Sequence, residues 1–502
     1  MALRTPRLAV GIALAGATLA ACSSAPAPAA LDQSQTSGTT GITAPGSTNT
    51  TGTVPPGTTP GTSGAVPLPG TTTGGGTSGT TGGTTGGGAT TGALPGTTGT
   101  GGSTGGTTGT PVDSSSVHLF TPKEDYIGLS PTTITLCAHA ALTYAPAFNT
   151  GPDDLNVYWT AINTEKGGIY GRKVEMTYED DAYKPDQAKV AAQKCVAKKP
   201  FLLLGGIGFD QIPTVRNYVE TVHQLYIYHT ATEQGAAGKK YSFTPLPSVE
   251  KVGESFAQLA NAKYKGKKIG ILKRESSNWE PGVTSFKALA KKYGLNVVKE
   301  TSAAASAGNY TNQITQLKNA KADVVFIWLN ALETTEVIKQ MKAQLYSPNL
   351  MVFPFNLTSQ TLANDALNPV LDGVAMYPAY SKGDYAGTFA SYADDMKEFE
   401  AQYAKYDPGV DLSGVAGDLL FLNWVGQKAL HKTFLQCGKD CSRNKFVELT
   451  ITNAVKPISS GCPVDFTHDG HLGGEYLTWM QTYRTPSGKV NWRETQKCVK
   501  AP

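Results

Sequence analysis

The sequence predicts an α/β protein of two lobes, each a mostly parallel sheet flanked by helices. Two observations carry this. Apolar runs without alternation, such as Phe201-Leu202-Leu203-Leu204 and Val324-Val325-Phe326-Ile327-Trp328, read as strands covered on both faces. Amphipathic stretches at helical spacing separate them, and the alternation runs through twice.

The first series opens with a strand at Ile134–Ala138, an irregular loop to Gly151, and a helix marked by Leu155, Trp159 and Ile162. Lys173–Glu179 is a strand. Asp186–Lys198 is a helix whose stripe of Ala188, Ala191, Ala192 and Cys195 turns Cys195 toward a sheet. Phe201–Leu204 is a strand ending at Gly205-Gly206, Ile212–His223 a helix and Leu225–Tyr228 a strand. The second series has helices at Val249–Ala262, Val283–Tyr293, Tyr310–Asn319 and Glu333–Gln344. They alternate with strands at Lys268–Lys273, Asn296–Lys299, Asp323–Trp328 and Leu350–Phe353. Long helices follow from Gly387 to about Tyr406 and from Ser413 to Phe434. A hairpin is expected last, with Val464-Asp465-Phe466, a turn at His468-Asp469-Gly470, and Tyr476–Tyr483.

Ahead of this body lies a different kind of chain. The protein has 502 residues and a formal net charge of +4, yet the first 116 residues carry only Arg4, Arg7, Asp32 and Asp113 as charges. Arg4 and Arg7, the apolar run Leu8–Ala17 and the small residues before Cys22 have the order of a secretory signal, too short for a stable membrane span. Residues 22–116 are rich in Thr, Gly, Ser, Pro and Ala, and cannot bury enough apolar surface to offset ordering entropy. The expected division is a signal peptide over 1–21, a disordered tether over 22–116 and a folded body over 117–502. The near-neutral balance argues against a nucleic-acid partner, which calls for a basic stripe. Setting Cys22 aside, six cysteines remain, and an even number in an exported chain favours disulfides. Fifteen pairings are open. The expected set is Cys137–Cys195, Cys437–Cys441 and Cys462–Cys498; the middle pair is one helical turn apart, near bridging distance. No Cys-x-x-Cys occurs and the histidines do not cluster with the cysteines, so no metal is expected.

Leu19-Ala20-Ala21-Cys22 resembles the lipobox of bacterial lipoproteins, in which the Cys becomes the acylated N-terminus. The segment Ile162-Asn-Thr-Glu-Lys-Gly-Gly-Ile-Tyr-Gly-Arg-Lys-Val174 through Glu179-Asp180-Asp181-Ala182-Tyr183-Lys184-Pro185 to Cys195 resembles periplasmic binding proteins of the branched-chain amino-acid type, the substrate-binding subunits of ABC importers. The likeness continues through Gly205-Gly206, Asp323–Ile327 and Val464-Asp465-Phe466-x-x-Asp469-Gly470. It implies the two-lobed type I fold with a three-strand hinge. Lobe I then holds about 131–246 and 377–456, and lobe II about 247–376 and 457–502. Each disulfide stays inside one lobe on that division. The resemblance also implies a monomer that captures a small molecule and hands it to an ABC permease and ATPase. The protein would sit on the extracytoplasmic face of the cell membrane, anchored by lipid, with no cofactor and no enzymatic step. The alternative is the same clamshell reporting its ligand to a sensor kinase or cell-wall partner.

Ligands of open parallel sheets bind beyond the carboxyl ends of the strands. The resemblance then points to Phe148 after the first strand, to Gly208, Phe209 and Asp210 after Leu204, and to Thr230 and Thr232 after Tyr228. In lobe II it points to Trp279, to Trp328 and Asn330, and to Phe355 and Asn356. The aromatics could equally be core residues. Phe355 stands where amino-acid binders of the family carry an acidic residue for the ligand ammonium, and Asp210 would repel a ligand carboxylate. The expected ligand is therefore a small organic molecule, amino-acid-like, amide or aromatic, other than leucine, isoleucine or valine. Enzyme signatures are thin: there is no Gly-x-Ser-x-Gly elbow and no phosphate-binding Gly-x-x-x-x-Gly-Lys loop. Gly205-Gly206-Ile207-Gly208 lacks the spacing of a dinucleotide turn, His468 and His471 flank a turn, and Asp180-Asp181 reads as a solvated strand end.

Overall fold

A computed structural model describes residues 118–144, 150–206, 208–228, 232–357, 362, 370–378, 380, 382–383, 390–412, 415–452, 462–466, 471–485 and 488–502. Cys22, the leader and tether, Phe148 and Thr230 lie outside the described residues. Along the chain the strands are β1 (Thr133–Ala140), β2 (Lys173–Asp180), β3 (Leu202–Leu204), β4 (Tyr226–Ile227), β5 (Ser242–Pro247), β6 (Lys268–Arg274), β7 (Asn296–Ala303), β8 (Val324–Trp328), β9 (Asn349–Val352), β10 (Leu371–Ala375), β11 (Leu472–Gly474), β12 (Tyr476–Arg484) and β13 (Val490–Lys500).

They form two sheets. The first has the order β11-β5-β4-β3-β1-β2 and is parallel throughout. The second has the order β13-β12-β10-β9-β8-β6-β7, parallel from β7 to β10 and antiparallel through β12 and β13. Strand β8 shows why an uninterrupted apolar run is needed. Val325 and Ile327 enter the cluster on one face, and Val324, Phe326 and Trp328 the cluster on the other.

Helices cover both sheets. Val249–Tyr264 starts at Ser248, whose hydroxyl accepts from the Lys251 amide at 3.1 Å. It packs on Glu280–Lys292 through glycines: a Cβ on Gly253 would lie 1.9 Å from the Gly282 carbonyl oxygen, so the backbones touch without side chains between them. The helix expected around Leu155, Trp159 and Ile162 is two, Pro152–Leu155 and Val157–Glu165. Asn156 joins them, its amide donating to the Met176 carbonyl at 3.0 Å. Cys195, on the helix Pro185–Ala197, is buried and bonded to Cys137 of β1. Cys437 is joined to Cys441, and Cys462 to Cys498.

Several elements depart from the sequence reading. β5 contains Pro245 and Pro247, residues that argue against a strand, and still pairs with β4 and β11. The helix Arg443–Thr452 and strands β10 and β13 have no counterpart in that reading. The hairpin is also placed differently. Val464 bridges Gly474, and the Asp465 amide donates to the Gly473 carbonyl at 2.7 Å, so Val464–Phe466 pairs with β11, while β12 pairs with β10 and β13. The third passage between sheets thus falls at Gly474–Tyr476 rather than near 456. Cys462 then precedes a segment paired within the first sheet but is bonded to Cys498 of β13 in the second. The Cys462 sulfur lies 3.7 Å from Thr478 Oγ1 of β12, so that disulfide sits against the second sheet beside the crossing. Among the described residues no helix is long and apolar enough to cross a membrane.

Candidate functional site

A cavity of about 60 Å³ lies where the strand ends of the two sheets meet. Nearly every residue on its wall sits just past the carboxyl end of a parallel strand, where the chain leaves the sheet and its side chains are not committed to the ladder. Tyr144 follows β1, Tyr183 follows β2, and Gly208 and Phe209 follow β3. From the second sheet come Trp279 beyond β6, Leu329 to Ala331 beyond β8, Phe353, Phe355 and Asn356 beyond β9, and Met376 and Tyr377 beyond β10. Leu246, within β5, completes the described wall.

The wall is aromatic and uncharged. Phe209 of the first lobe meets Trp279 of the second with ring centroids 4.6 Å apart. Tyr144 and Tyr183 pair at 4.5 Å, and Phe355 stands edge-on to Tyr377 at 5.0 Å. Burial pushes the Tyr144 phenol up to about 12, with the Glu333 carboxylate adding to the effect. Burial also raises Tyr183 and Tyr377. These hydroxyls therefore stay protonated at neutral pH and can donate as well as accept.

Two asparagines organise the second-lobe loops. Asn330 caps the helix Ala331–Ala343: its Oδ1 accepts from the Glu333 amide at 2.9 Å, and the Glu333 carboxylate accepts from the Asn330 amide at 3.1 Å. Its Nδ2 is free to cross to the Tyr144 hydroxyl of the first lobe at 3.2 Å. Asn356 donates to the Leu329 carbonyl at 2.7 Å and the Thr334 hydroxyl at 3.2 Å, fixing the turn after β9 to that after β8.

Behind the wall sits a charged group that does not line the cavity. Asp210 reaches from the first lobe into the second, where its carboxylate accepts from Ser276 Oγ at 2.6 Å, Asn278 Nδ2 at 3.1 Å and Trp279 Nε1 at 3.1 Å. Arg274 Nε lies 3.8 Å from the same carboxylate, and Arg274 Nη1 lies 3.4 Å from Glu333. Its guanidinium also covers the Trp279 ring at 5.5 Å.

Of the sequence-expected residues, Gly208, Phe209, Trp279, Asn330, Phe355 and Asn356 come together on this wall. Three do not. Trp328 is fully buried beneath Trp279, donating to its carbonyl at 2.8 Å, because the last residue of β8 still points into the helical layer. Thr232 caps the short helix Glu233–Ala236, its hydroxyl accepting from the Gly235 amide at 2.9 Å, and lines no described cavity. Asp210 joins lobe to lobe instead of facing a ligand. Asp181 is no solvated strand end either. It is fully buried, its carboxylate 2.8 Å from His139 Nδ1, while His139 Nε2 lies 2.8 Å from the Tyr226 hydroxyl. The wall residues that sequence reasoning passed over are Tyr144, Tyr183, Leu246, Leu329, Ala331, Phe353, Met376 and Tyr377. Applying the strand-end rule to β2 as well would have found Tyr183, whereas Met376 and Tyr377 follow β10, a strand absent from the sequence reading. Among the described residues no cluster of His, Cys, Asp and Glu could hold a metal ion.

A family model described as periplasmic binding protein matches residues 147–488. The Leu/Ile/Val-binding protein homolog 3 of Brucella melitensis biotype 1 is 26% identical over 167 residues, 33% of this chain and 45% of the relative, so the match spans less than half of that protein. Among solved structures, a fatty acid ABC transporter substrate-binding protein from Thermomonospora curvata superposes with a TM-score of 0.59 at 18% identity, covering 75% of this chain and 94% of the other. A solute-binding protein of an ABC transporter from Rhodopseudomonas palustris HaA2, in complex with p-hydroxybenzoic acid, gives 0.60 at 18% identity, covering 74% and 97%. At such identities these structures share the fold.

Proposed function

The chain belongs to the periplasmic binding protein family, and we propose that it is the extracytoplasmic solute-binding component of an ABC importer. It would hold a small organic ligand between its lobes and pass it to a permease and ATPase. The observation that carries this reading is the cavity between the strand ends, walled by aromatic rings from both lobes and by no charged side chain among the described residues. A binding site needs shape, apolar surface and a few directed polar groups, and Asn330, Asn356 and the tyrosine hydroxyls supply the last.

The same wall favours one class of ligand. A zwitterionic amino acid would bring an ammonium and a carboxylate to a surface with no opposite charge on it, which is costly. An aromatic or amide compound with hydroxyl groups needs only the donors and acceptors present. The p-hydroxybenzoic acid held by the Rhodopseudomonas protein shares the aromatic ring and hydroxyl of that class, while its carboxylate would need a partner that the described wall does not supply. Lipidation of Cys22, with the chain to residue 116 as a spacer from the membrane, completes the reading as a monomeric surface-anchored receptor.

Thermal denaturation with a panel of 4-hydroxybenzoate, benzamide, aromatic amides and the branched-chain amino acids tests it. Stabilisation by a member of the aromatic or amide group, with a fall in radius of gyration by X-ray scattering, is expected. Strong stabilisation by leucine alone overturns the ligand class. Lobes that never change separation with any bound ligand overturn the clamshell.

A further inference from the structure

The first-lobe half of the interlobe wall rests on a buried relay. His139 of β1 and Asp181, just past β2, are both buried. The Asp181 carboxylate divides its oxygens. Its Oδ2 faces His139 Nδ1 at 2.8 Å, and its Oδ1 accepts from the Tyr183 amide at 2.8 Å. On the far side of the ring, Nε2 lies 2.8 Å from the Tyr226 hydroxyl and accepts from the Gly206 amide at 3.3 Å. Both backbone groups held here lead to the wall. Tyr183 lines it, and Gly206 begins the turn after β3 that carries Gly208, Phe209 and Asp210. Gln211 ties the two together, its Nε2 donating to the Tyr183 carbonyl at 2.6 Å. The fit is close: a Cβ on Gly205 would lie 2.3 Å from the Tyr226 hydroxyl oxygen, and one on Gly206 2.8 Å from Asp181 Oδ2. The turn takes its position from these side chains.

The partners fix where the ring hydrogen sits. A carboxylate only accepts, so Nδ1 carries the hydrogen. A backbone amide only donates, so Nε2 is the bare nitrogen and the ring is neutral. Burial holds the Tyr226 phenol well above its ordinary value, so its hydroxyl keeps its proton and can be a second donor to Nε2. Adding a proton to Nε2 reverses that side of the ring. The nitrogen becomes a donor and the Tyr226 oxygen can turn to accept. The Gly206 amide cannot, and two N–H groups then face each other where both residues are buried, an arrangement that costs free energy.

We propose that His139 is a pH-sensitive positioning residue of the interlobe site. The neutral ring holds the turn after β3 against the second lobe, and a proton taken from solvent by Nε2 releases it. What the turn delivers is the Phe209–Trp279 contact and the Asp210 bonds to Ser276, Asn278 and Trp279. Ligand affinity between the lobes then falls as pH falls, a consequence that rests on the interlobe reading. Other charged groups stand farther from the ring nitrogens. Glu179, the β2 register partner of His139, is paired with Lys194 and Lys198. Arg216 of the helix Ile212–Thr221 lies over the Tyr228 ring. The helix Pro185–Ala197 buries Ala188, Ala191, Ala192 and Cys195, none of which carries charge.

NMR of the full chain without ligand tests it, so the result does not depend on which compound the interlobe cavity takes. The His139 imidazole signals and the Trp279 indole N–H, which donates to Asp210, are followed over about pH 5–8, where imidazoles change charge. The two should move together with one midpoint. His139→Gln keeps an acceptor for Gly206 and takes up no proton, so the Trp279 signal should stay at its neutral-pH position. Asp210 and Glu333 remain in that variant, and a shift of their making would persist. Asp181→Asn gives a second arm. Its Oδ1 can keep the Tyr183 amide while its Nδ2 donates to His139 Nδ1, which moves the ring hydrogen to Nε2 without adding charge. The Trp279 signal should then sit at its acid position at every pH. A His139 ring that keeps one protonation state throughout, a Trp279 shift unchanged in His139→Gln, or an Asp181→Asn signal at the neutral wild-type position would each overturn the proposal. If Asp181→Asn folds poorly, the His139→Gln comparison decides alone.

Discussion

Removing the Asp210 carboxylate should release one lobe from the other. In Asp210→Ala, Ser276, Asn278 and Trp279 each lose the first-lobe acceptor they use across the cleft. A hydrogen bond to a charged acceptor contributes about 1.5–3 kcal/mol net. The 2.6 Å bond from Ser276 belongs in that range. The two at 3.1 Å are longer, and the Asp210 side chain keeps 20% of its surface, so screening reduces them. About 3 kcal/mol is a reasonable sum, or roughly 150-fold in the ratio of separated to joined lobes. The Asn330–Tyr144 bond and the Phe209–Trp279 contact remain, so the lobes need not part completely. The assay is X-ray scattering together with tryptophan emission, since Trp279 Nε1 is one of the released donors. The apparent affinity of an interlobe ligand should fall in proportion to the lost joined population. Asp210→Asn, which keeps an acceptor but no charge, should lie between. Scattering and emission identical to wild type in Asp210→Ala would refute the latch.

Three further outcomes follow from the packing. Burial pushes the His431 imidazole down to about 4 from an ordinary 6.5, with the Tyr158 hydroxyl 2.9 Å from its Nδ1. The unfolded chain then binds a proton that the native state refuses, so stability is intact above pH 6.5 and falls by up to about 3 kcal/mol as pH drops to 4; urea midpoints against pH should show this slope, and His431→Asn should flatten it. Gly253→Ala should cost about 1–3 kcal/mol, because its Cβ would meet backbone that cannot turn aside; a melting temperature equal to wild type would contradict the close helix contact. By the chain-entropy argument the 58-residue Cys137–Cys195 loop contributes roughly 4 kcal/mol and the 4-residue Cys437–Cys441 loop roughly 2 kcal/mol; paired alanine replacements compared in guanidinium should preserve that order.

The two parallel sheets were legible because the signal for them is local. An apolar run such as Val324–Trp328 between amphipathic helices has one stable disposition, covered on both faces, whatever its partners are. The strand-end rule, together with the family resemblance, then pointed to Phe209, Trp279, Asn330, Phe355 and Asn356. Local signals failed where a partner distant in sequence decides the outcome. β5 keeps Pro245 and Pro247 because neighbouring strands accept it. Thr232 is a helix cap, and Trp328, one residue before the loop that carries Asn330, belongs to the core.

By itself the sequence determined most of the strands and helices and that they form two series, since burial periodicity depends only on neighbours a few residues away. Only the tertiary structure decided that Asp210 is spent on joining lobes, that Val464–Phe466 pairs with β11, and that His139 stands between Asp181 and Gly206. Those facts depend on distances between residues tens to hundreds of positions apart, which no short stretch of chain encodes.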